Sequence, residues 1–287
     1  MGSAEPHQPG KEDLIRKLLV ANRGEIALRV FRACRELGIA TVAVVAPDDT
    51  GSLHARSADE VVGIATYLFS EEHIRAAKQT GADAIHPGYG FLAENPDFAE
   101  AVGAAELTWV GPPPEALRAG GDKLEAKRIA SDAGVPVVST GEPDEIGFPL
   151  MIKATAGGGG RGMRVVRSRD DLDDAIDAAR REAKAAFGDD RVFCERCVER
   201  PRHVEIQLLA DAHGNVTALG ERECSVQRRH QKVLEEAPSP ALDSALRQEI
   251  SDAAVAFART GKCGPIAACG DSAIHGFRDF RRKAGLS

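Results

Sequence analysis

Membrane-spanning runs, a dense set of cysteines and an excess of basic charge are all missing from this sequence of 287 residues. No apolar run approaches the roughly 18 residues that a membrane span requires. The longest candidate, residues 39–46, contains Thr41 and is followed by Pro47. The polar opening segment, residues 1–13, also lacks the apolar core of a secretory signal. We therefore expect a cytoplasmic protein.

The formal net charge is −7, which gives no global reason to expect nucleic acid as a partner. Six cysteines are too few for a disulfide scaffold in a chain of this length. Cys194 and Cys197 have CxxC spacing and can in principle join Cys263 and Cys269 in a zinc site. The wider spacing of the second pair argues against zinc, and free, reduced thiols are the simpler interpretation.

Strand and helix patterns alternate from Lys17 onward. Short apolar runs predict strands at residues 18–21, 41–46, 61–65, 84–86 and 107–110. Helical periodicity predicts helices at residues 24–37, 71–80 and 95–102, and Gly38 is expected to end the first of them. Alternation of this kind is typical of a parallel sheet covered on both faces. The first 111 residues are therefore predicted to form a doubly wound α/β domain.

A different pattern begins after the rigid segment Gly-Pro-Pro-Pro at residues 111–114. A helix is predicted over residues 117–134 with a break at residues 120–121, which places Lys123 at a helix start. Because the helix dipole disfavours a cation there, an anion is the expected partner. Polar and apolar residues then alternate over 203–208, and a turn at 211–215 leads to a predicted antiparallel neighbour. The second domain is predicted to be antiparallel α+β.

A short apolar run that carries Lys153 leads into four consecutive glycines at residues 157–160. Glycine leaves the backbone N–H groups unshielded and tolerates positive φ, so such a loop can wrap around a triphosphate. A flexible linker is the alternative interpretation of a glycine run. The apolar pattern that resumes at residues 163–166 favours a hairpin lid over phosphate instead.

Several segments, in order, closely resemble biotin carboxylase, the ATP-grasp component of acetyl-CoA, propionyl-CoA and related carboxylases and of pyruvate carboxylase. They are ANRGEIA at 21–27, HPGYGFL at 86–92, GDK at 121–123, the glycine loop with RGM at 161–163, PRHVEIQ at 201–207, QRRHQK at 227–232 and EEAP at 235–238. The resemblance runs from about Lys17 to about Ala258. It implies a Rossmann-like N-terminal domain at residues 14–121 and an incomplete ATP-grasp α+β domain with its lid at residues 122–258.

The resemblance implies an ATP-dependent ligase, a biotin carboxylase of an acyl-CoA carboxylase that serves fatty acid biosynthesis. Such enzymes use ATP to phosphorylate bicarbonate, and the resulting carboxyphosphate delivers carbon dioxide to biotin on a carrier protein. The implied cofactors are ATP and Mg²⁺. The implied partners are bicarbonate, the biotinylated carrier protein, a carboxyltransferase subunit and a second copy of the chain, with no nucleic acid and no membrane.

The resemblance also implies roles for single residues. The nucleotide-binding set is Lys123, Lys153, Gly159, Gly160, Glu195, Arg196, Cys197, Val198, His203, Gln227 and His230. Within this set the two lysines contact phosphate, the two glycines belong to the lid, and residues 195–198 form the hinge that holds adenine. His203 lies near the ribose, and Gln227 and His230 make polar contacts with the nucleotide. Lys232 resembles the bicarbonate-binding lysine and is the candidate catalytic residue.

The sequence departs from the family after the helix predicted at residues 246–258. The family continues with a Gly-Ala-Gly-Thr strand and later Glu-x-Asn-x-Arg-x-Gln-Val-Glu, which supply two magnesium ligands, an arginine for bicarbonate and the proposed general base. This chain reads TGKCGPIAACG at 260–270 and carries six Lys/Arg against two Asp between Arg259 and Ser287. The tail at 259–287 therefore predicts a truncated or frame-shifted product without metal ligands, which binds ATP but turns over little.

Two internal stretches, at residues 64–68 and 138–148, are also shorter than in the family, which leaves the placement of the lid open. Other functions are compatible with parts of the sequence. A non-catalytic ATP-binding or interaction protein can be built on the same scaffold. A dinucleotide-dependent oxidoreductase would need Gly-x-Gly-x-x-Gly after the first strand, whereas residues 22–27 contain a single glycine. An RNA-binding patch at Arg228, Arg229 and Lys232 lacks flanking aromatic residues.

Overall fold

The computed structural model describes residues 14–156, 162–211, 213–228 and 231–261. These residues belong to two compact units, with the boundary between Pro114 and Glu115. The N-terminal unit contains a five-stranded sheet, and the C-terminal unit contains two three-stranded sheets. Within the described part of the chain, no helix is long and apolar enough to cross a membrane.

Strands and helices alternate throughout the N-terminal unit. Its elements are β1 (Lys17–Val20), α1 (Gly24–Leu37), β2 (Ala40–Val45), α2 (Leu53–Ser57), β3 (Glu60–Gly63), α3 (Ser70–Thr80), β4 (Ala84–His86), α4 (Pro96–Ala104) and β5 (Thr108–Trp109). All neighbouring strands are parallel, in the order β3-β2-β1-β4-β5. The predicted doubly wound α/β sheet is therefore confirmed, and its order reverses between β1 and β4.

Both faces of this sheet are covered, which explains why its strands read as continuous apolar runs. Leu19, Val42 and Val44 are buried in one apolar cluster, and Val20 and Ala43 are buried in the other. The predicted end of α1 is also observed, because Gly38 has φ of 71° and its left-handed conformation closes the helix.

The C-terminal unit is an antiparallel α+β structure, as predicted. Its elements are α5 (Pro114–Gly121), α6 (Lys123–Asp132), α7 (Pro143–Ile146), β6 (Leu150–Ala154), β7 (Arg164–Val166), α8 (Leu172–Phe187), β8 (Val192–Arg196), β9 (Val204–Ala210), β10 (Val216–Arg228), β11 (Gln231–Glu236) and α9 (Ser244–Thr260). The sheets have the orders β7-β6-β8 and β11-β10-β9, and every pair in them is antiparallel.

The helix predicted over residues 117–134 is interrupted at Asp122 rather than at residues 120–121. The reason is a helix cap. The Asp122 carboxylate accepts hydrogen bonds from the backbone N–H groups of Leu124, at 2.9 Å, and Glu125, at 3.1 Å. These two N–H groups have no acceptor inside the helix, so the Asp122 carboxylate serves as the N-cap and a new helix begins after it. Lys123 is consequently the first residue of α6.

Apolar residues of α6, α9 and β9 form the main core of the C-terminal unit. Ile129, Ile206 and Ile250 belong to this cluster, and Ile250 is fully buried. The polar residues that alternate with them along β9 are less exposed than the alternation suggested, because Glu205 is 6% exposed. A carboxylate that is so deeply buried needs partners, and they identify one part of the candidate site.

Candidate functional site

Two lysines of the predicted nucleotide-binding set meet where β6 leads into the glycine run. Lys153 lies on β6, and Lys123 starts α6. The backbone N–H of Lys123 donates to the carbonyl of Thr155 at 3.1 Å, and its Nζ donates to the carbonyls of Ala154 at 3.0 Å and Ala156 at 3.4 Å. The start of α6 is therefore fastened to the end of β6, and both ammonium groups lie beside the same strand end.

Glu195 is the buried anion that pairs with Lys153. It lies on β8, and its side chain is 6% exposed. One carboxylate oxygen pairs with Nζ of Lys153, and the other lies 2.9 Å from Nζ of Lys127. Burial opposes ionisation of Glu195, but Lys153 and Lys127 outweigh it and lower the pKa. The side chain of this predicted adenine-hinge residue is thus engaged by two cations.

The pKa of Lys123 is also lowered, first by burial and then by the nearby charge of Lys153, although Asp122 and Glu195 act in the opposite direction. Lys123, Lys127 and Lys153 place three ammonium groups near the single carboxylate of Glu195. Positive charge collected in a partly buried place is stabilised by an anion. The arrangement can therefore hold phosphate.

The strands that flank the glycine run pair as a hairpin. β6 and β7 are antiparallel, with Leu150 opposite Val166 and Ile152 opposite Arg164. The predicted lid residues Gly159 and Gly160 lie outside the described residues. At the returning end, Gly162 has φ of 69°, and a Cβ there would lie 3.0 Å from the Cβ of Ala154. Only glycine fits this position without strain, because the backbone of Gly162 lies against Ala154 at the end of β6.

The predicted hinge at residues 195–198 leaves the sheet, because β8 ends at Arg196. The backbone N–H of Arg196 donates to the carbonyl of Ser139 at 3.0 Å, and that of Cys197 donates to the carbonyl of Pro149 at 3.2 Å. Val198 follows and is half-buried. Hydrogen bonds from two successive residues thus hold an extended segment at this point. These two N–H groups are therefore already occupied, and their hydrogen bonds fix the position of the segment.

The zinc alternative started from Cys194 and Cys197, which are both free. Burial is the main cause that raises the pKa of each thiol, so neither is a ready thiolate. Three steps along an extended chain also turn side chains to opposite faces. The proposed partners Cys263 and Cys269 lie outside the described residues.

The remaining predicted residues form pairs on the sheet of β9, β10 and β11. The Nε2 of Gln227 donates to Nδ1 of His203 at 2.6 Å. Lys232 Nζ donates to the buried carboxylate of Glu205 at 2.5 Å, and Arg222 pairs with the same carboxylate. The structure thus joins His203 to Gln227 and Lys232 to Glu205. His230 lies outside the described residues.

A search for metal ligands among the described residues gives one group of three, Glu205, Cys224 and Glu235. Burial raises the pKa of Cys224 to about 12, so this side chain is a neutral thiol. Glu205 is already paired with Arg222 and Lys232. Because Mg²⁺ prefers oxygen ligands without competing cations, this group does not fit the magnesium ion that the family resemblance implies.

Sequence reasoning missed Lys127. This lysine lies four residues after Lys123 on α6, so the two side chains share a helix face. The spacing of four residues could have indicated that Lys127 lies on the same helix face as Lys123. It could not indicate that Lys127 pairs with Glu195, which is distant in the sequence. The pairing exists only because α6 packs beside the sheet that carries β8.

Two of the motifs that resemble biotin carboxylase meet in the N-terminal unit, at the carboxyl ends of β1 and β4. The Nδ2 of Asn22 donates to the carbonyls of Pro87 at 2.8 Å and Tyr89 at 2.7 Å. A cavity of about 590 Å³ opens at this place, and Arg23 and Asp49 are part of its lining. Ligands of doubly wound sheets commonly bind at such a switch point.

Comparison with known families gives a match over most of the chain. Residues 14–117 match the biotin carboxylase N-terminal domain, and residues 122–270 match the ATP-binding domain of the carbamoyl-phosphate synthase L chain. Biotin carboxylase of Nostoc sp. is 53% identical over 261 residues, which cover 85% of this chain and 58% of the relative. Biotin carboxylase 1 of Bacillus subtilis is 50% identical over 264 residues, which cover 86% and 59%. The chain thus spans somewhat less than three fifths of these curated relatives.

Solved structures give the same result. A biotin carboxylase–βγ-ATP complex from Campylobacter jejuni superposes with a TM-score of 0.87 at 40% identity and covers 89% of this chain and 61% of that one. The biotin carboxylase domain of Hydrogenobacter thermophilus 2-oxoglutarate carboxylase, a dimer in complex with MgADP, ADP and bicarbonate, has a TM-score of 0.84 at 39% identity and covers 92% and 65%. With both domains matched and the strand orders described above, this chain belongs to the biotin carboxylase family.

Proposed function

We propose that this chain binds ATP, with the phosphates against Lys123 and Lys153 beneath the glycine run. One observation carries the proposal: the two lysines converge on the end of β6, beside the buried Glu195, directly before the four glycines. Solved relatives are complexes with βγ-ATP, MgADP and ADP, which supports a nucleotide as the ligand. The two ammonium groups at this strand end support an anionic ligand.

The other nucleotide contacts follow from the same placement. Residues 195–198 would hold adenine through their backbone groups, because the side chain of Glu195 is engaged by lysines. His203 would lie near the ribose, with Gln227 bonded to it and His230 nearby in sequence. Gly159 and Gly160 would cover the phosphates. The hydrogen bonds of Arg196 and Cys197 to Ser139 and Pro149 hold the segment in place, so the groups left for adenine are its carbonyls and the N–H of Val198.

The reaction that we propose is the ATP-dependent carboxylation of biotin on a carrier protein, as the biotin carboxylase component of an acyl-CoA carboxylase. ATP would phosphorylate bicarbonate, and the carboxyphosphate formed would supply carbon dioxide to biotin. The contribution of protein residues to phosphoryl transfer is mainly positioning and charge neutralisation. Lys232 would hold bicarbonate, with Glu205 fixing its ammonium group. The donors described above do not fit Mg²⁺, so we assign no step to a metal.

The proposed partners are the biotinylated carrier protein, a carboxyltransferase and a second copy of the chain. The relative from Hydrogenobacter thermophilus is a dimer, which supports the last of these. Curated relatives also include a pyruvate carboxylase, from rat, that is 49% identical over 264 residues. The two relatives named biotin carboxylase carry no acyl-CoA substrate in their names, so the acyl-CoA carboxylase part of this proposal rests on the sequence resemblance.

A second candidate function is nucleotide binding without catalysis. The departure from the family pattern after residue 258 motivates it, and the two lysines at the end of β6 support it as they support the first function. Such a protein would bind ATP and act through that binding. The two functions differ in one measurable property, the release of phosphate that depends on biotin and bicarbonate.

The experiment is calorimetric titration of the chain with ATP, run beside an assay of phosphate release with free biotin and bicarbonate. The proposal predicts saturable binding of ATP that is lost in Lys123→Met. Phosphate release that requires biotin would assign carboxylation to this chain itself. Binding without such release would favour the second function, and a chain that binds no ATP would contradict both.

A further inference from the structure

Lys127 has no part in the contacts proposed for ATP, yet it is built into the same group of charges. Its Nζ lies 2.9 Å from the Glu195 carboxylate, donates to the carbonyl of Val138 at 2.8 Å and lies 5.9 Å from the centre of the Phe193 ring. An ammonium group has three donors, and a carboxylate, a carbonyl and a ring face take up these directions. The Lys127 ammonium group is therefore occupied by Glu195, Val138 and Phe193.

Each oxygen of Glu195 has its own lysine. Lys153 pairs with one oxygen and Lys127 with the other, and the Glu195 side chain is 6% exposed. In the proposed function, the ammonium group of Lys153 must also contact a phosphate of ATP. A buried carboxylate that loses its only cation is strongly destabilised. If Lys153 were the one cation paired with Glu195, this cost would oppose the binding of Lys153 to phosphate. The second lysine removes this conflict.

We propose that Lys127 is a positioning residue for nucleotide binding, which holds Glu195 and thereby sets how firmly Glu195 retains Lys153. The inference rests on the proposed ATP site and adds a residue that does not touch the nucleotide. When the Lys153 ammonium group binds phosphate, Glu195 remains paired with Lys127. Without Lys127, the full charge of Glu195 falls on Lys153 and competes with the phosphate.

A double-mutant cycle in the full chain tests this coupling, with calorimetric titration of ATP as the readout. Lys127→Met is expected to raise the Kd for ATP about tenfold, the effect of losing one charge-assisted contact. In a Glu195→Gln background, the same change is expected to alter Kd by less than about twofold, because there is no carboxylate left to restrain. An equal loss in both backgrounds would show that Lys127 acts directly on the nucleotide and would overturn the inference.

Two matched variants separate positioning from general damage. Arg128→Met removes a neighbouring cation from the same helix, but Arg128 is exposed and pairs with Glu125 and Asp132, so its Kd should stay within about twofold of the unaltered chain. Lys127→Arg keeps a cation that can reach Glu195, and we expect it to restore most of the affinity. If Glu195→Gln fails to fold, Lys127→Arg still tests the inference. A Kd for ATP as high as that of Lys127→Met would then refute the positioning role of Lys127.

Adenosine supplies the last comparison, because it carries the base and ribose without phosphate. The affinity for adenosine should be the same with and without Lys127, whereas a distorted pocket would weaken adenosine and ATP alike and contradict the inference. Failure of the unaltered chain to bind ATP would remove the proposed function as well. ATP binding without coupling between Lys127 and Glu195 would remove this inference alone.

Discussion

Replacing Lys153 by methionine should weaken both the fold and ATP binding. Methionine keeps much of the side-chain length but removes the ammonium group that pairs with Glu195. The two side chains are 10% and 6% exposed, so water replaces the lost partner poorly. Breaking a buried ion pair typically costs about 3–5 kcal/mol, and because Lys127 still holds the other oxygen we expect about 2–3 kcal/mol here.

The pH dependence of this loss has a definite sign. The pKa of Glu195 is lowered in the folded chain, so its ion pairs stabilise the fold above the unfolded value of about 4.3 and lose that contribution as pH falls through the folded pKa. Removing Lys153 raises the folded pKa of Glu195, since one of two cations is gone. The difference in unfolding free energy between the two proteins should therefore be largest near pH 7 and shrink below about pH 4.

The assay is urea unfolding followed by far-UV circular dichroism at pH 7 and at about pH 3, together with calorimetric titration of ATP. Arg181→Met on α8 is the control, because it also removes one cation from the C-terminal unit but lies exposed, and should change stability by less than about 0.5 kcal/mol. A Lys153→Met protein as stable as this control, with unaltered ATP affinity, would refute the reasoning about the buried Glu195.

Three further substitutions test other parts of the C-terminal unit, each by urea unfolding. Arg247→Met removes the guanidinium that lies 2.7 Å from the buried Glu221 and should cost about 2–4 kcal/mol, whereas Arg247→Lys should cost less. Ile250→Ala in the core of α9 should cost about 2–5 kcal/mol, against less than about 0.5 kcal/mol for the exposed Gln248→Ala. Gly162→Ala should cost about 1–2 kcal/mol, because its φ of 69° and the nearby Ala154 oppose a side chain, and a neutral result would contradict this close contact between Gly162 and Ala154.

Much of the fold could be predicted from local patterns. The parallel order of the N-terminal sheet follows from alternating strands and helices, and Gly38 marks a helix end because glycine alone adopts that backbone readily. The hairpin around the glycine run followed from apolar residues on both sides of it. The predicted ends of strands differ from the observed ends by one or two residues, because fraying and strand pairing determine where a strand ends.

The site was only partly accessible to sequence reasoning. Resemblance to the family identified Lys153 and Lys232, but their partners Glu195 and Glu205 lie 42 and 27 residues away along the chain. Sequence spacing does not show which carboxylate a buried lysine meets, because tertiary packing of separate elements decides it. The break at Asp122 was misplaced for a related reason, since a side-chain cap outweighed two adjacent glycines.

The two lysines at the end of β6 have a practical consequence for the choice of buffer. Sulfate, pyrophosphate and citrate in a buffer are anions that Lys123 and Lys153 attract. They would compete with the phosphates of ATP at these lysines, although they carry no adenine. Nucleotide affinities measured in such solutions would be too low. Preparations kept in chloride or a zwitterionic buffer should therefore report the strength of the site more faithfully.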